Sequence, residues 1–160
     1  MFTGDYGPAN ALETVPLPDG RILLASAWED HTVRLWDLAS RRPAHAEVPT
    51  QGSWVRAVTV APLKNGCTLI ATGENYDRKV WLWDADTGNS TRDPLIGHNG
   101  PVLALTTLTL PDGRTLLASA SDDHTIRLWD ADTGNSTRDP LIGHNGPVLA
   151  LTTLTLPDGR

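Results

Sequence analysis

The sequence predicts an all-β protein of repeated four-stranded units, and three observations predict it. Leu82–Arg114 and Leu128–Arg160 are identical over 33 residues at an offset of 46. The pairs Trp36-Asp37, Trp83-Asp84 and Trp129-Asp130 recur at spacings of 47 and 46. Within each period, β-branched and apolar residues come in short runs bounded by Gly, Pro, Asn or Asp, with no sustained helical period.

The third period shows the elements in order. Val102-Leu103-Ala104-Leu105 runs into Thr106–Leu110 as a first strand, stopped by the turn Pro111-Asp112-Gly113. Thr115–Ala120 is the second strand, and Ser121-Asp122-Asp123-His124 the polar turn after it. Thr125–Trp129 is the third, followed by the turn Asp130–Asn135 and a fourth strand over Ser136–Ile142. A diverged copy lies upstream, where Pro18-Asp19-Gly20-Arg21 matches Pro111-Asp112-Gly113-Arg114. Four antiparallel strands in such a period make one blade of a β-propeller, which relies on stacked neighbours to bury both its faces. The units fall at about 4–49, 50–96 and 97–142, with a partial fourth at 143–160 whose first strand is expected near Pro147–Leu156. Closed rings have about four to eight blades, so about three and a third blades form an incomplete ring as a monomer. The expectation is a piece of a larger repeat protein; the alternative is a ring closed by several copies.

Bulk properties narrow the partners. A formal charge of −6 argues against a nucleic-acid ligand, whose binders carry a basic face. No apolar run approaches membrane-span length, and the N-terminal residues lack a signal-peptide pattern, so the expectation is a cytoplasmic protein without a membrane partner. Cys67 is the single cysteine and is expected to be a buried thiol; no Cys/His cluster has zinc spacing, and no metal or cofactor is implied. The Asp84–Gly88 and Asp130–Gly134 runs read as plain turns, since they lack the later acidic ligands of a calcium loop.

Gly97-His98, Ser119, Asp123 and Trp129-Asp130 together resemble the WD-repeat propeller family, in the form of bacterial-type tandem repeats. The resemblance implies a buried relay in which the Trp129 indole donates to Ser119, Ser119 to His98, and His98 to Asp123. Each of these groups costs free energy if buried without a partner. The first unit keeps Ser26, Asp30 and Trp36 but has Gly4-Asp5 in place of Gly-His, and Asp5 facing Asp30 would repel. In the second unit Thr50-Gln51 replaces Gly-His, Thr72 takes the serine's place, and one residue is inserted before Asp77 and Trp83.

A Ser–His–Asp set raises the idea of a hydrolase, but a mid-strand serine held by tryptophan and lacking an oxyanion loop is a structural group, so no enzyme is expected. Glu13 and Arg56 are isolated charges on otherwise apolar first strands. The resemblance implies a protein-interaction scaffold or sensor, read as part of a larger signalling protein, that binds a protein or peptide on one rim. Candidates there are residues that break the repeat: Trp28 where Ser121 stands, Glu29 and Tyr76 where Asp122 stands, and Trp54 where Pro101 stands, with Asn99 and Asp122 beside them. Trp81, replacing Arg127, is expected to pack, and His31 and His124 to be solvated.

Overall fold

A computed structural model of the chain describes residues 7–44, 48–50 and 54–154. These residues form three antiparallel sheets with no helix among them. The first holds β1 (Ala9–Pro16), β2 (Ile22–Trp28) and β3 (Thr32–Asp37), edged by the short pieces β4 (Arg42–Pro43) and β5 (Val48–Pro49). The second holds β6 (Val55–Pro62), β7 (Thr68–Glu74) and β8 (Val80–Asp84), and the third β9 (Val102–Thr109), β10 (Thr115–Ser121) and β11 (Ile126–Asp130).

The sheets stack as propeller blades because each offers apolar side chains on both faces. Trp83 of the second blade shares a core with Val15, Leu23, Ala25, Val33 and Leu35 of the first. Trp129 of the third repeats this against Ala61, Leu69, Ala71, Val80 and Leu82 of the second. Trp83 and Trp129 thus each pack on the blade before their own. Small residues on the middle strands let the sheets approach: a Cβ added at Gly73 would lie 2.7 Å from Val102 of the next blade.

The same irregularity occurs in every blade. The first strand carries a bulge near its start, so that Asn10, Arg56 and Leu103 fall outside the ladder register. A bulge frees one residue from the alternation and re-aims its side chain. The Asn10 amide uses that freedom to donate to the Val55 carbonyl at 2.9 Å, tying the first blade to the second.

Four expectations need correction. The fourth strands are not continuous. In the second blade they reduce to bridges at Val80–Leu95 and Trp83–Ser90, and in the third to Ile126–Leu141 and Trp129–Ser136. Pro94 and Pro140 lie in these segments and have no N–H to give a ladder. Residues 147–154 form no strand, because no described strand pairs with them; Val148 is buried and its N–H donates to Ser121 at 3.2 Å. Cys67 is exposed, since it ends the β6–β7 turn, where Leu63 donates to its carbonyl. His31 is half-buried with its Nδ1 shielded from water, whereas His124 is exposed. Both hold left-handed backbone, at φ of 68° and 67°, as does Arg78 at 60° in the matching turn of the second blade.

Candidate functional site

Two groups of residues are candidates, one buried in the third blade and one on the rim of the second. The buried group begins at the β9 approach, where Gly97–Gly100 folds against the β10–β11 turn. Gly100 sits so close that a Cβ there would be 2.8 Å from the Asp123 backbone nitrogen. This contact brings His98 between the sheet and the turn. The Trp129 indole donates to Ser119 Oγ at 2.9 Å, and Ser119 Oγ lies 2.8 Å from His98 Nε2. His98 Nδ1 lies 2.9 Å from Asp123 Oδ2. A carboxylate can only accept, so Nδ1 carries the proton, Nε2 accepts, and Ser119 donates to it. Asp123 also takes the backbone N–H groups of Asn99 at 2.8 Å and Thr125 at 3.0 Å, and the Thr125 hydroxyl at 2.7 Å.

The electrostatics follow from burial. Desolvation pulls the His98 pKa below its usual value and outweighs the opposing pull of Asp123. At Asp123 desolvation works to raise the pKa, but hydrogen bonds from Thr125, Asn99 and His98 together hold it well below the ordinary carboxylate range. Ser119 is 0 % exposed, so no substrate carbonyl can reach it. The serine, histidine and carboxylate brace the turn instead.

The other two blades handle the same carboxylate differently, in a way the sequence reading missed. Asp5 and Gln51 lie outside the described residues. In the first blade Arg34 reaches back four residues to Asp30, with Nη2 at 2.5 Å from Oδ2. Burial of Asp30 works to raise its pKa, but hydrogen bonds from Thr32 and Arg34 and the charge of Arg34 hold it down. In the second blade the Trp81 indole donates to Asp77 at 3.0 Å, and Lys79 lies 3.6 Å from the same oxygen. Arg34, Trp81 and Arg127 hold equivalent places on the third strands. Where histidine occupies the carboxylate, as at Asp123, Arg127 instead lies against Gly97. The spacing of four residues from turn carboxylate to donor was the available signal. The acceptor hydroxyl is present in each blade: Trp36 and Trp28 both donate to Ser26, at 3.0 and 2.8 Å, and Trp83 donates to Thr72 at 3.0 Å. Trp28, named above as a rim candidate, therefore turns into the sheet. The Thr50 hydroxyl donates to the His31 carbonyl.

The rim is fixed by one backbone hydrogen bond per blade. Glu29, Asn75 and Asp122 donate to the carbonyls of Pro8, Trp54 and Pro101. Asn75 thus takes the place of Asp122, and Tyr76 is the inserted residue. Trp54 and Tyr76 meet with ring centroids 5.4 Å apart, and the Arg56 guanidinium lies 5.9 Å from the Trp54 ring. Tyr76 is 59 % exposed. Arg78 follows in the same turn and donates to the Asn99 carbonyl at 3.3 Å. Asn99 and Asp122 are exposed and Glu29 half-buried on the same rim. Trp81 stacks on Trp83 at 5.9 Å. Among the described residues no three His, Cys, Asp or Glu side chains gather as a metal site.

Stacked antiparallel blades, each with a fourth segment reduced to short pieces or bridges, define an arc of a β-propeller. Two stretches of the arc match WD40 repeats: the family model "WD domain, G-beta repeat" covers residues 2–37 and 89–130. Among curated relatives, nuclear distribution protein PAC1 of Arthroderma benhamiae is 35% identical over 110 residues, 66% of this chain and 23% of its own length. Ribosome biogenesis protein YTM1 of Eremothecium gossypii is 30% identical over 130 residues, 74% of this chain and 27% of its own. U3 small nucleolar RNA-associated protein 15 of Saccharomyces cerevisiae is 31% identical over 80 residues, 50% of this chain and 15% of its own. The chain therefore spans about a quarter of the length of the first two of these relatives. Among solved structures, the computationally designed Ika4 protein superposes with a TM-score of 0.76 at 23% identity, covering 100% of this chain and 92% of that one. The WD40 repeats of RRP9 give 0.73 at 23%, covering 92% of this chain and 42% of that one. At such identity the structures speak for the fold alone. The expectation of a cytoplasmic protein is corrected by these relatives, whose names point to ribosome biogenesis and small nucleolar RNA.

Proposed function

We propose that this arc is a protein-interaction module that holds a peptide segment of a partner on the rim of its second blade. The observation that carries this reading is the Trp54–Tyr76 ring pair, set on the rim by a backbone hydrogen bond and an inserted residue that the fold does not need. Large aromatic rings that lose little freedom on binding are the residues that dominate interfaces. The relatives support a partner within a multiprotein assembly, given their names in ribosome biogenesis and nuclear distribution. Signalling and a bacterial setting draw no support from them, since the three relatives described above are fungal. The partner in this reading is protein rather than nucleic acid, consistent with the net charge of −6, and the chain carries out no catalysis.

Affinity capture from a nuclear extract, with the wild-type chain beside Trp54→Ala and Trp28→Ala, tests the reading. Partners lost with Trp54→Ala and kept with Trp28→Ala are expected. An unchanged set with Trp54→Ala would remove the rim site. A second reading, association between copies of the chain, is favoured by Leu12, 62 % exposed on the first blade, and Leu149, 71 % exposed beyond the third.

A further inference from the structure

We infer that the rim of the second blade recognises an acidic peptide segment, with Arg56 and Arg78 taking carboxylates and the Trp54–Tyr76 pair taking an apolar side chain against its exposed edge. This rests on the rim reading above and names the chemistry of its ligand.

The four residues are among the places where the second blade departs from its neighbours. Trp54 stands where Pro8 and Pro101 stand, by the shared backbone hydrogen bond. Arg56 is the bulge residue, where the other blades have Asn10 and Leu103. Arg78 holds the left-handed turn position occupied by His31 and His124. Tyr76 has no counterpart. These four lie together on the turn and the bulge of one blade, where Trp54, Tyr76 and Arg56 are in ring contact.

Their chemistry agrees. Among the described residues neither Arg56 nor Arg78 is ion-paired, although the chain as a whole is acidic. The carboxylate of the same turn, Asp77, is already held by Lys79 and Trp81, so it does not neutralise the two guanidinium groups. The bulge releases Arg56, an exposed residue, from the ladder and lets its guanidinium lie over the Trp54 ring, which positions its charge. Arg78 spends one N–H on the Asn99 carbonyl and is otherwise available. Guanidinium forks match carboxylates, and an aromatic pair beside them accepts an apolar neighbour.

Isothermal titration of the full chain tests this with an acetylated hexapeptide of glutamates flanking one phenylalanine. The controls are the same peptide with lysines for glutamates, and hexauridylate. The acidic peptide is expected to bind, with affinity that falls steeply as salt rises. Arg56→Gln combined with Arg78→Gln should weaken it at least about tenfold, as loss of paired interfacial charges does, and thermal melting should show this double variant folded. Equal binding of the lysine peptide, lost in Trp54→Ala, would overturn the acidic inference while leaving the rim reading intact. Hexauridylate binding more tightly than the acidic peptide would overturn it in favour of a single-stranded nucleic acid. No binding of any peptide, together with unchanged capture by Trp54→Ala, would remove both readings. Unchanged affinity in the double glutamine variant would overturn the inference by itself.

Discussion

At the scale of single residues, one buried hydroxyl decides how each blade holds its tryptophan. Ser119 accepts from Trp129 and donates to His98, and it is completely buried. Ser119→Ala leaves an indole N–H and an imidazole nitrogen without partners, and the expected loss is about 1–3 kcal/mol, read from the shift of the urea unfolding midpoint. His98 makes the same network pH-sensitive, and the sign follows from burial. Its pKa is lowered in the folded state from 6.5, so the unfolded chain binds the proton more readily. The stability it contributes is present above about pH 6.5 and is lost as pH falls through the folded value. Asp123, lowered too, adds a loss of the same sign further into acid. Urea titrations of the wild-type chain and His98→Gln between pH 7 and 5 check this. The wild type should lose stability across that range, and the variant should show a flatter dependence. A parallel slope in both would assign the loss to other groups.

Elements show which features were legible in the sequence. The first three strand runs and the turns of the third period could be placed because each turn carries its own chemistry in Gly, Pro or Asp, whereas the fourth run reduces to bridges. The first-strand bulges could not, because Asn10, Arg56 and Leu103 share no side-chain property; what unites them is register. The Asp30–Arg34 pair was hidden for another reason. Its donor lies on a strand whose equivalent residue in the third blade, Arg127, points elsewhere once histidine is present. Arg34 is therefore expected to matter where Arg127 does not. Arg34→Met strips Asp30 of its cation at a pair largely sheltered from water, and should cost about 2–4 kcal/mol by the precedent of broken buried pairs. Arg127→Met should cost well under half of that, both read by thermal unfolding. The identical repeats allow a sharper comparison. Gly100 and Gly146 are the same residue of the same 33-residue repeat, but a Cβ meets the Asp123 backbone at 2.8 Å in one and nothing within 4 Å in the other. Gly100→Ala should destabilise by about 1–3 kcal/mol through overpacking against backbone, while Gly146→Ala should fall within about 0.5 kcal/mol of wild type. Equal effects would mean that the loop before β9 does not need its close approach.

For the whole molecule, the stacking rule that makes the core also shapes its surface. Trp83 and Trp129 pack on the preceding blade, so two of the three repeat tryptophans find that partner among the described residues. The first blade's equivalent face carries a groove of about 390 Å³ lined by Leu12, Leu24, Trp36 and Leu38, with Leu12 62 % and Leu38 48 % exposed. At the other end Ile142, Leu149 and Leu154 are 82 %, 71 % and 82 % exposed. Apolar surface of this kind is covered in stable assemblies, because each buried side chain contributes about 1.5–3 kcal/mol. The two ends are also of opposite kind, a tryptophan face and an aliphatic face, as at the two interfaces inside the chain. Contact between them would be head to tail rather than two-fold. The expected behaviour is association that rises with protein concentration, measured by multi-angle light scattering from the micromolar range upward. Leu12→Lys should raise the fraction of monomer, and so should Leu149→Lys. The double variant should add little to either single change, because a head-to-tail contact needs both ends at once and either charge disrupts it. A two-fold contact between like faces predicts a different pattern: one of the single variants would leave association untouched. A wild-type chain that stays monomeric at high concentration would show that these leucines are tolerated in water, and would leave the proposed rim of the second blade as the surface for a partner.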